Sequence, residues 1–358
     1  MNQLAPNIGH ISKHETSTIL MVKFHSSQNG MNQKKLTINP KIILPIRLGI
    51  SHCLLGEQVR YDGGHKHNDF LVNILGQYVE WIPVCPEVEA GFGTPRESMR
   101  LTENLDKPRL ITIRSNKDHT NQLIHYAKSR LRELRHLDLS GYVFKKDSPS
   151  CGIQRVRVYN NEGHLIGQGK GIFSNVFHQC FPLIPIEEEG RLQDPRLREN
   201  FIERVFGYHR WMTSAVNKKF TRRNLILFHA THKYLLLAHS RKHYQQLGQL
   251  VANTKNFSAR ELKNSYGSIF MEALAFKTTK SKHMNVLQHL TGHLKRQLST
   301  SARKELHEVL ADYHKGFVPL SVPIALIRHY VRILEIPYLK DQTYLSPHPK
   351  ELMLRNHV

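Results

Sequence analysis

Apolar positions follow two successive rhythms along the chain. Short unbroken apolar runs come first, at Ile42–Ile50, Val79–Val84 and Leu139–Phe144. They read as buried strands, because a strand covered on both faces shows no polar alternation. Between them, Asn68–Gln77 sets Phe70, Ile74 and Leu75 on one side. Asn121–Leu134 sets Leu123, Ile124, Ala127, Leu131 and Leu134 against a Lys/Arg face, as in an amphipathic helix. Strands alternating with helices predict an α/β domain over residues 41–190, Rossmann-like, with a parallel sheet. Glu187-Glu188-Glu189-Gly190 and Asp194-Pro195 read as a polar boundary, with 191–204 as a linker. The rhythm then changes to threes and fours. Phe201–Phe220, Asn224–Leu237, Lys242–Ala252, Ala259–Leu274, Lys282–Leu298, Ala302–Lys315 and Pro323–Leu334 predict an all-α domain over 205–358, closed by the tail Tyr338–Pro349. Residues 1–40, rich in Asn, Gln, Ser and Lys, read as a flexible extension in which Met21 or Met31 offers an alternative start.

Charge separates the halves further. The net charge is +22. Residues 201–358 carry 25 Lys and Arg against 9 Asp and Glu, a net of +16, which leaves +6 for 1–200. Such an excess calls for a polyanionic partner, and nucleic acid is the expected one ahead of an anionic membrane surface. No segment approaches 18 consecutive apolar residues, so no membrane span is expected. Ile19–Val22 is too short for the apolar core of a signal peptide, and the expected compartment is the cytoplasm.

In a reducing compartment the cysteines Cys53, Cys85, Cys151 and Cys180 are not needed as disulfides. Cys53, Cys85 and Cys151 each follow the carboxyl end of a predicted strand, where loops of an open α/β sheet converge on ligands. Cys180 lies outside that pattern. Three thiolates suit a [4Fe–4S] cluster with one iron free of protein ligands. A histidine completing a zinc site, or three buried cysteines with no metal, are the alternatives. Gaps of 32 and 66 residues match no compact ligand motif and by themselves favour the buried reading. The neighbours favour a site: Cys85-Pro86-Glu87-Val88-Glu89-Ala90-Gly91, Ser148-Pro149-Ser150-Cys151-Gly152 and Arg60-Tyr61-Asp62-Gly63-Gly64 gather polar groups where a core would waste them.

Ser51-His52-Cys53-Leu54-Leu55-Gly56 with Arg60-Tyr61-Asp62-Gly63, then Cys85-Pro86-Glu87, then Lys145 with Ser148-Pro149-Ser150-Cys151-Gly152, resemble the thiouracil desulfidase family over about residues 45–190. Some relatives carry a further cysteine where this chain has Val59. Phe228-His229-Ala230-Thr231-His232-Lys233-Tyr234, Ala238-His239-Ser240, Asn285-Val286-Leu287-Gln288-His289 and Gly316 with Pro319-Leu320 and Pro323 are similar to the helical domain often fused behind that enzyme. The fused form resembles desulfidases that reverse 4-thiouridine modification in transfer RNA. The resemblance implies Cys53, Cys85 and Cys151 as cluster ligands, Glu87 as proton carrier, and Ser148 as substrate hydrogen-bond partner or proton relay. It also implies that the helical part holds tRNA or another thiolated RNA. No obligate protein partner is evident. A cluster-bearing RNA regulator without turnover, and a desulfidase of free thiouracil with a dimerising helical half, remain as alternatives.

Other residues carry plainer readings. Asp62 and Arg60 form an ion pair holding the first loop, and Glu89 is a solvated carboxylate ahead of a second acid. Ser150 caps a turn or touches substrate. Lys145 and Lys146 contact phosphate or are solvated. Gly167-Gln168-Gly169-Lys170-Gly171 reads as a tight turn, lacking the strand–loop–helix context of a phosphate loop. His229, His232, His239 and His243 read as an RNA face or satisfied helix contacts rather than metal ligands. Lys233, Arg241, Lys242 and Tyr244, with Lys218, Lys219, Arg222 and Arg223, interleave bases and an aromatic in the manner of RNA contacts.

Overall fold

A computed structural model describes residues 45–216 and 220–357. The expected extension at 1–40, and Lys218 and Lys219, lie outside the described residues. Among the described residues are eight strands: β1 (Ile46–Ser51), β2 (Val79–Val84), β3 (Met99–Thr102), β4 (Arg109–Thr112), β5 (Gly141–Phe144), β6 (Val156–Tyr159), β7 (Leu165–Gly169) and β8 (Ile186–Glu188). The helices are α1 (Pro86–Glu89), α2 (Thr120–Leu134), α3 (Ile172–Cys180), α4 (Pro195–Arg210), α5 (Arg222–His239), α6 (Arg241–Ala252), α7 (Ala259–Ala275), α8 (Lys280–Leu294), α9 (Thr300–Lys315), α10 (Ser321–Ile333) and α11 (Pro337–Lys340). An N-terminal parallel-sheet α/β region is followed by an all-helical region, as the two rhythms predict.

The main sheet is parallel, in the order β2-β1-β5-β8. The chain leaves β1 to one side for β2 and returns to the other side for β5. A crevice therefore opens beyond the carboxyl end of β1, at the switch in strand order. A second sheet, β4-β3-β6-β7, mixes parallel and antiparallel pairs and closes its own small core of Leu101, Leu110, Leu123, Val156, Val158 and Ile172. The sequence reading held no strand there. The Asn68–Gln77 segment is a π turn (Phe70–Ile74) followed by a 3-10 turn (Leu75–Gln77), and it buries Leu71 and Leu75 while Ile74 is exposed.

Two expectations about the boundary are corrected. Glu187 and Glu188 belong to β8, which pairs with β5 through Val143↔Glu187 and Phe144↔Glu188. Residues 191–204, expected as a linker, form a 3-10 turn (Arg191–Gln193) and most of α4. Asp194 caps α4 by accepting from the Arg196 and Leu197 amides, and Pro195 occupies the first turn, where its missing N–H costs nothing. This helix buries Phe201, Ile202, Val205 and Phe206 against β1 and β5 residues Leu48, Ile50 and Val143. A second apolar cluster runs without a break from Val84, Tyr142 and Phe177 to Trp211, Phe228, Tyr266 and Leu287. The two regions thus share their interior. The tail returns to the first region: Leu352 and Leu354 enter the β1 core, and Arg355 pairs with Glu203 at 2.7 Å and Glu199 at 3.3 Å.

Candidate functional site: a thiol-lined crevice at the sheet edge

Register brings the site together. Ser51 of β1 lies opposite Val84 of β2, so Cys53 and Cys85 leave neighbouring strands at the same level. Ile50 lies opposite Val143 of β5, and the Lys145 amide donates to Ser51 Oγ at 3.0 Å, which holds the next loop against β1. That loop turns back through Ser148 to Cys151. Gly171, immediately before α3, supports it from behind: a Cβ there would stand 2.6 Å from the Ser150 carbonyl oxygen.

All three thiols are free; Cys53 and Cys151 are buried and Cys85 is half-buried. Burial pushes the Cys53 thiol up to about 12, with Cys85 adding to the rise and Lys145 opposing it. Burial also raises Cys85, and it raises Cys151 well above the ordinary thiol range with the help of the Glu87 charge. The Cys85 thiol is therefore felt electrostatically by both of the others. Among the described residues, the only three His, Cys, Asp or Glu ligand atoms all within 4.8 Å of one another belong to Glu199, Glu203 and His348. The three thiols are thus not drawn into the compact set that one tetrahedral ion needs, in which sulfurs about 2.3 Å from the metal sit roughly 4 Å apart. Cys180 sits at the end of α3, packed against the larger apolar cluster.

Glu87 lies in the first turn of α1, 9% exposed. Its Oε2 accepts from Arg96 Nε at 2.9 Å and from the second guanidinium nitrogen. Its Oε1 accepts from the Ser150 hydroxyl, and from Ser148 Oγ at 3.5 Å. The two serine oxygens are 3.0 Å apart, and Ser150 Oγ also lies 3.7 Å from Cys151 Sγ. Ser148 Oγ accepts the Ser150 and Cys151 amides at 3.3 and 3.2 Å, fixing the turn that carries the thiol. One carboxylate, two hydroxyls and a thiol form a single hydrogen-bonded run.

The remaining polar groups are mostly structural. Glu89 is exposed, as expected of a solvated carboxylate, but it is also bonded: its Oε1 accepts the Cys85 amide at 2.7 Å, while Tyr126 and Arg130 hold its other oxygen. Arg60 and Asp62 form the expected ion pair, at 3.1 Å. Lys145 pairs with buried Glu189 at 2.8 Å, whereas Lys146 is exposed. The segment read as a glycine-rich turn is in fact β7 running through Lys170-Gly171 into α3. The first amides of that helix are spent on the Pro149 and Ser150 carbonyls, which leaves none for a phosphate. Sequence reasoning missed Ser51, Arg96, Tyr126 and Glu189. Ser51 and Glu189 stood within quoted segments without being read as site residues, and Arg96 arrives from the approach to a strand that the apolar pattern did not reveal.

The four histidines are satisfied helix contacts. His229 meets the Tyr266 hydroxyl at 3.2 Å, and His232 the Phe228 carbonyl at 2.8 Å. His239 lies between the Phe276 carbonyl and Glu203, and His243 meets Ser240 and Glu272. Arg222 is likewise structural, donating to the Thr254 and Phe257 carbonyls.

Fold and site define an α/β protein in which three free thiols and a buried carboxylate gather at the switch point of a parallel sheet. Residues 48–189 match the family model described as 2-thiouracil desulfurase, and residues 233–349 match a protein family of unknown function, DUF1722. The first of these regions is thus similar to the thiouracil desulfidase family, and the fused helical region to DUF1722 domains. The uncharacterized protein YbgA of Escherichia coli (strain K12) is 26% identical over 162 residues, 45% of this chain and 95% of its own. The uncharacterized protein YbbK of Bacillus subtilis (strain 168) is 29% identical over 108 residues, 29% of this chain and 71% of its own. A solved structure of the [4Fe-4S]-dependent thiouracil desulfidase TudS is 28% identical, at a TM-score of 0.35, over 42% of this chain and 94% of that one. No helix among the described residues is long and apolar enough to cross a membrane.

Proposed function

We propose that the protein is a [4Fe–4S]-dependent desulfidase that replaces the thiocarbonyl sulfur of a thiolated uracil in RNA, 4-thiouridine in tRNA, by oxygen. The observation that carries the reading is the run Glu87–Ser150–Ser148 beside Cys151, at the edge where Cys53 and Cys85 also emerge. Three free thiols that do not all lie within 4.8 Å of one another are the type of donor set that holds a cubane and leaves one iron open. Cys53, Cys85 and Cys151 would hold it. Bound there, the cluster supplies an iron without a protein ligand, a Lewis acid for the thiocarbonyl sulfur.

The chain's own groups supply proton handling and orientation. Glu87, with Oε2 fixed by Arg96, presents Oε1 to the serine hydroxyls and takes a proton from the attacking water. Ser148 orients the base or passes that proton on. The reaction balances as thiocarbonyl plus water giving carbonyl plus hydrogen sulfide, with no net electron transfer. The +16 of residues 201–358 supports a polyanionic substrate over a free base.

The family description favours a second reading, in which free thiouracil is the substrate. Anaerobic reconstitution with iron and sulfide, followed by incubation with thiolated tRNA and separately with free 4-thiouracil and 2-thiouracil, tests both. Conversion of tRNA 4-thiouridine to uridine with sulfide release supports the first reading. Turnover of free bases alone supports the second, and a reconstituted cluster without turnover of either sinks both.

A further inference from the structure

The helical region holds a cavity of about 350 Å³ lined by Lys233, Tyr234, Leu237, Arg241, Tyr244, Gln245, Asn285, His289 and His293. These residues come from α5, α6 and α8. No acidic residue lines it. Two fixed cations, Lys233 and Arg241, face two histidines one helical turn apart on α8. Neither cation pairs with a carboxylate among the described residues; Lys233 lies instead over the rings of Tyr234 and Tyr338, at 5.0 and 5.1 Å. Arg241 is exposed. His293 Nε2 is tied to the Tyr234 hydroxyl at 2.8 Å, which fixes that wall. The half-buried Tyr244 ring lies nearly parallel to His229, with centroids 6.5 Å apart.

Like charges brought together without counter-charge repel one another, and an anion between them removes that repulsion. Lys233 and His289 already oppose protonation of His293, after its burial. The aromatic wall adds a flat apolar surface of the kind on which an unpaired base stacks. The volume suits one nucleotide and excludes a duplex.

We propose that this cavity binds the phosphate of one unpaired nucleotide between Lys233 and Arg241, with its base against Tyr244. The inference rests on the RNA reading above for its source of phosphate; a free mononucleotide is the other source. Because α4 and the tail are built into the shared interior, deleting the helical region is no clean test, and point variants of the full chain are used.

Binding of labelled unmodified tRNA and of uridine monophosphate is measured for the wild type, for Lys233→Gln/Arg241→Gln, and for Lys255→Gln/Arg260→Gln, a pair of exposed residues carrying the same charge loss. Thermal unfolding checks that each is folded. Loss of charge-assisted bonds in the cavity should weaken tRNA binding about tenfold or more. The slope of log K against log salt should shrink by about 0.7, one phosphate on a single strand. The Lys255/Arg260 pair should fall short of both effects. Equal losses in the two pairs, or no loss in the cavity pair, overturn the cavity site and leave the RNA reading standing. Wild-type binding of uridine monophosphate without tRNA, lost in the cavity pair, keeps the site and removes the RNA source. Binding of neither ligand by the wild type overturns both.

Discussion

Arg96 and Glu87 form a buried ion pair, Nε to Oε2 at 2.9 Å, that joins the approach to the second sheet to the first turn after β2. The guanidinium also donates to the Val59 and Gly93 carbonyls, at 3.0 and 2.9 Å. Cys85 Sγ lies 3.7 Å from that same Val59 oxygen. Arg96 therefore positions both the carboxylate and the loop beside the thiol.

Glu87→Gln keeps the size and one acceptor oxygen but cannot take a proton. It is expected to retain the iron–sulfur absorbance after reconstitution and to abolish sulfide release. Unchanged release would remove Glu87 as proton carrier. Arg96→Gln leaves Glu87 buried without its cation, a loss of about 3 kcal/mol or more in stability by analogy with other buried pairs, read by denaturant unfolding.

The two serines should separate. Ser148 Oγ holds two backbone amides of the turn before Cys151, so Ser148→Ala should lower both cluster content and turnover. Ser150 bonds the carboxylate and the thiol with its hydroxyl, and its backbone stays held by Ser148. Ser150→Ala should therefore keep iron content near wild type and lower the rate constant. Iron and acid-labile sulfide assays, beside turnover, distinguish the two; equal loss of iron in both would contradict the division.

Arg355→Ala should be among the most destabilising changes far from the crevice. Glu199 and Glu203 stand one turn apart on α4, and Arg355 is the buried cation between them. Burial, and then the charge of Glu203, raise the Glu199 carboxyl to about 8, while Arg355 and His239 hold Glu203 below the usual carboxylate range. Removing Arg355 leaves two buried carboxylates with only the histidines His239, His348 and His357 beside them, and about 3–5 kcal/mol of unfolding free energy should be lost. A loss under 1 kcal/mol would show that the tail is not a latch.

Acid should destabilise the helical region through its buried histidines. Burial lowers His209, His229 and His348 to about 4 and His283 to about 3, against 6.5 in the unfolded chain. Below pH 6.5 the unfolded chain takes up protons that the folded one refuses, so stability falls from pH 6.5 down to the folded values. For His283, fully enclosed beside the Tyr344 hydroxyl at 2.9 Å, the loss approaches 1.4 kcal/mol per pH unit. His283→Gln should flatten the pH dependence between 6 and 4 by about one proton; an unchanged slope would show that His283 titrates normally.

What was legible in the chain was local. Ile46–Ser51 announces a strand because both its faces are buried, the edge strand Val79–Val84 does so although it is mostly half-buried, and each run stops short of a cysteine. Helices α5 to α10 follow from three- and four-residue spacing. What was illegible was short or depended on distant partners. β3 and β6 have four residues each, although the inward Val156 and Val158 of β6 left a faint alternation. Glu187–Glu188 reads as a turn because carboxylates disfavour strands; it is nevertheless a strand, because Arg191 and Arg204 meet Glu187, while the Ile153 and Gln154 amides meet Glu188. The Asp194-Pro195 signal was visible, and it marks the start of a helix rather than a gap between domains.

By itself the sequence determined the class of the first region, the helical second region, the charge imbalance and the three cysteines at strand ends. Periodicity and composition act within a few residues, so those features need no knowledge of the rest of the chain. Only the tertiary structure decided that Arg96 would meet Glu87, that Glu189 would neutralise Lys145, and that the tail would close on α4. Two of those pairs join residues far apart in sequence, and Arg96 reaches Glu87 only because the loop between them folds back. Their free energy comes from burial, which exists only once the sheets and helices have packed.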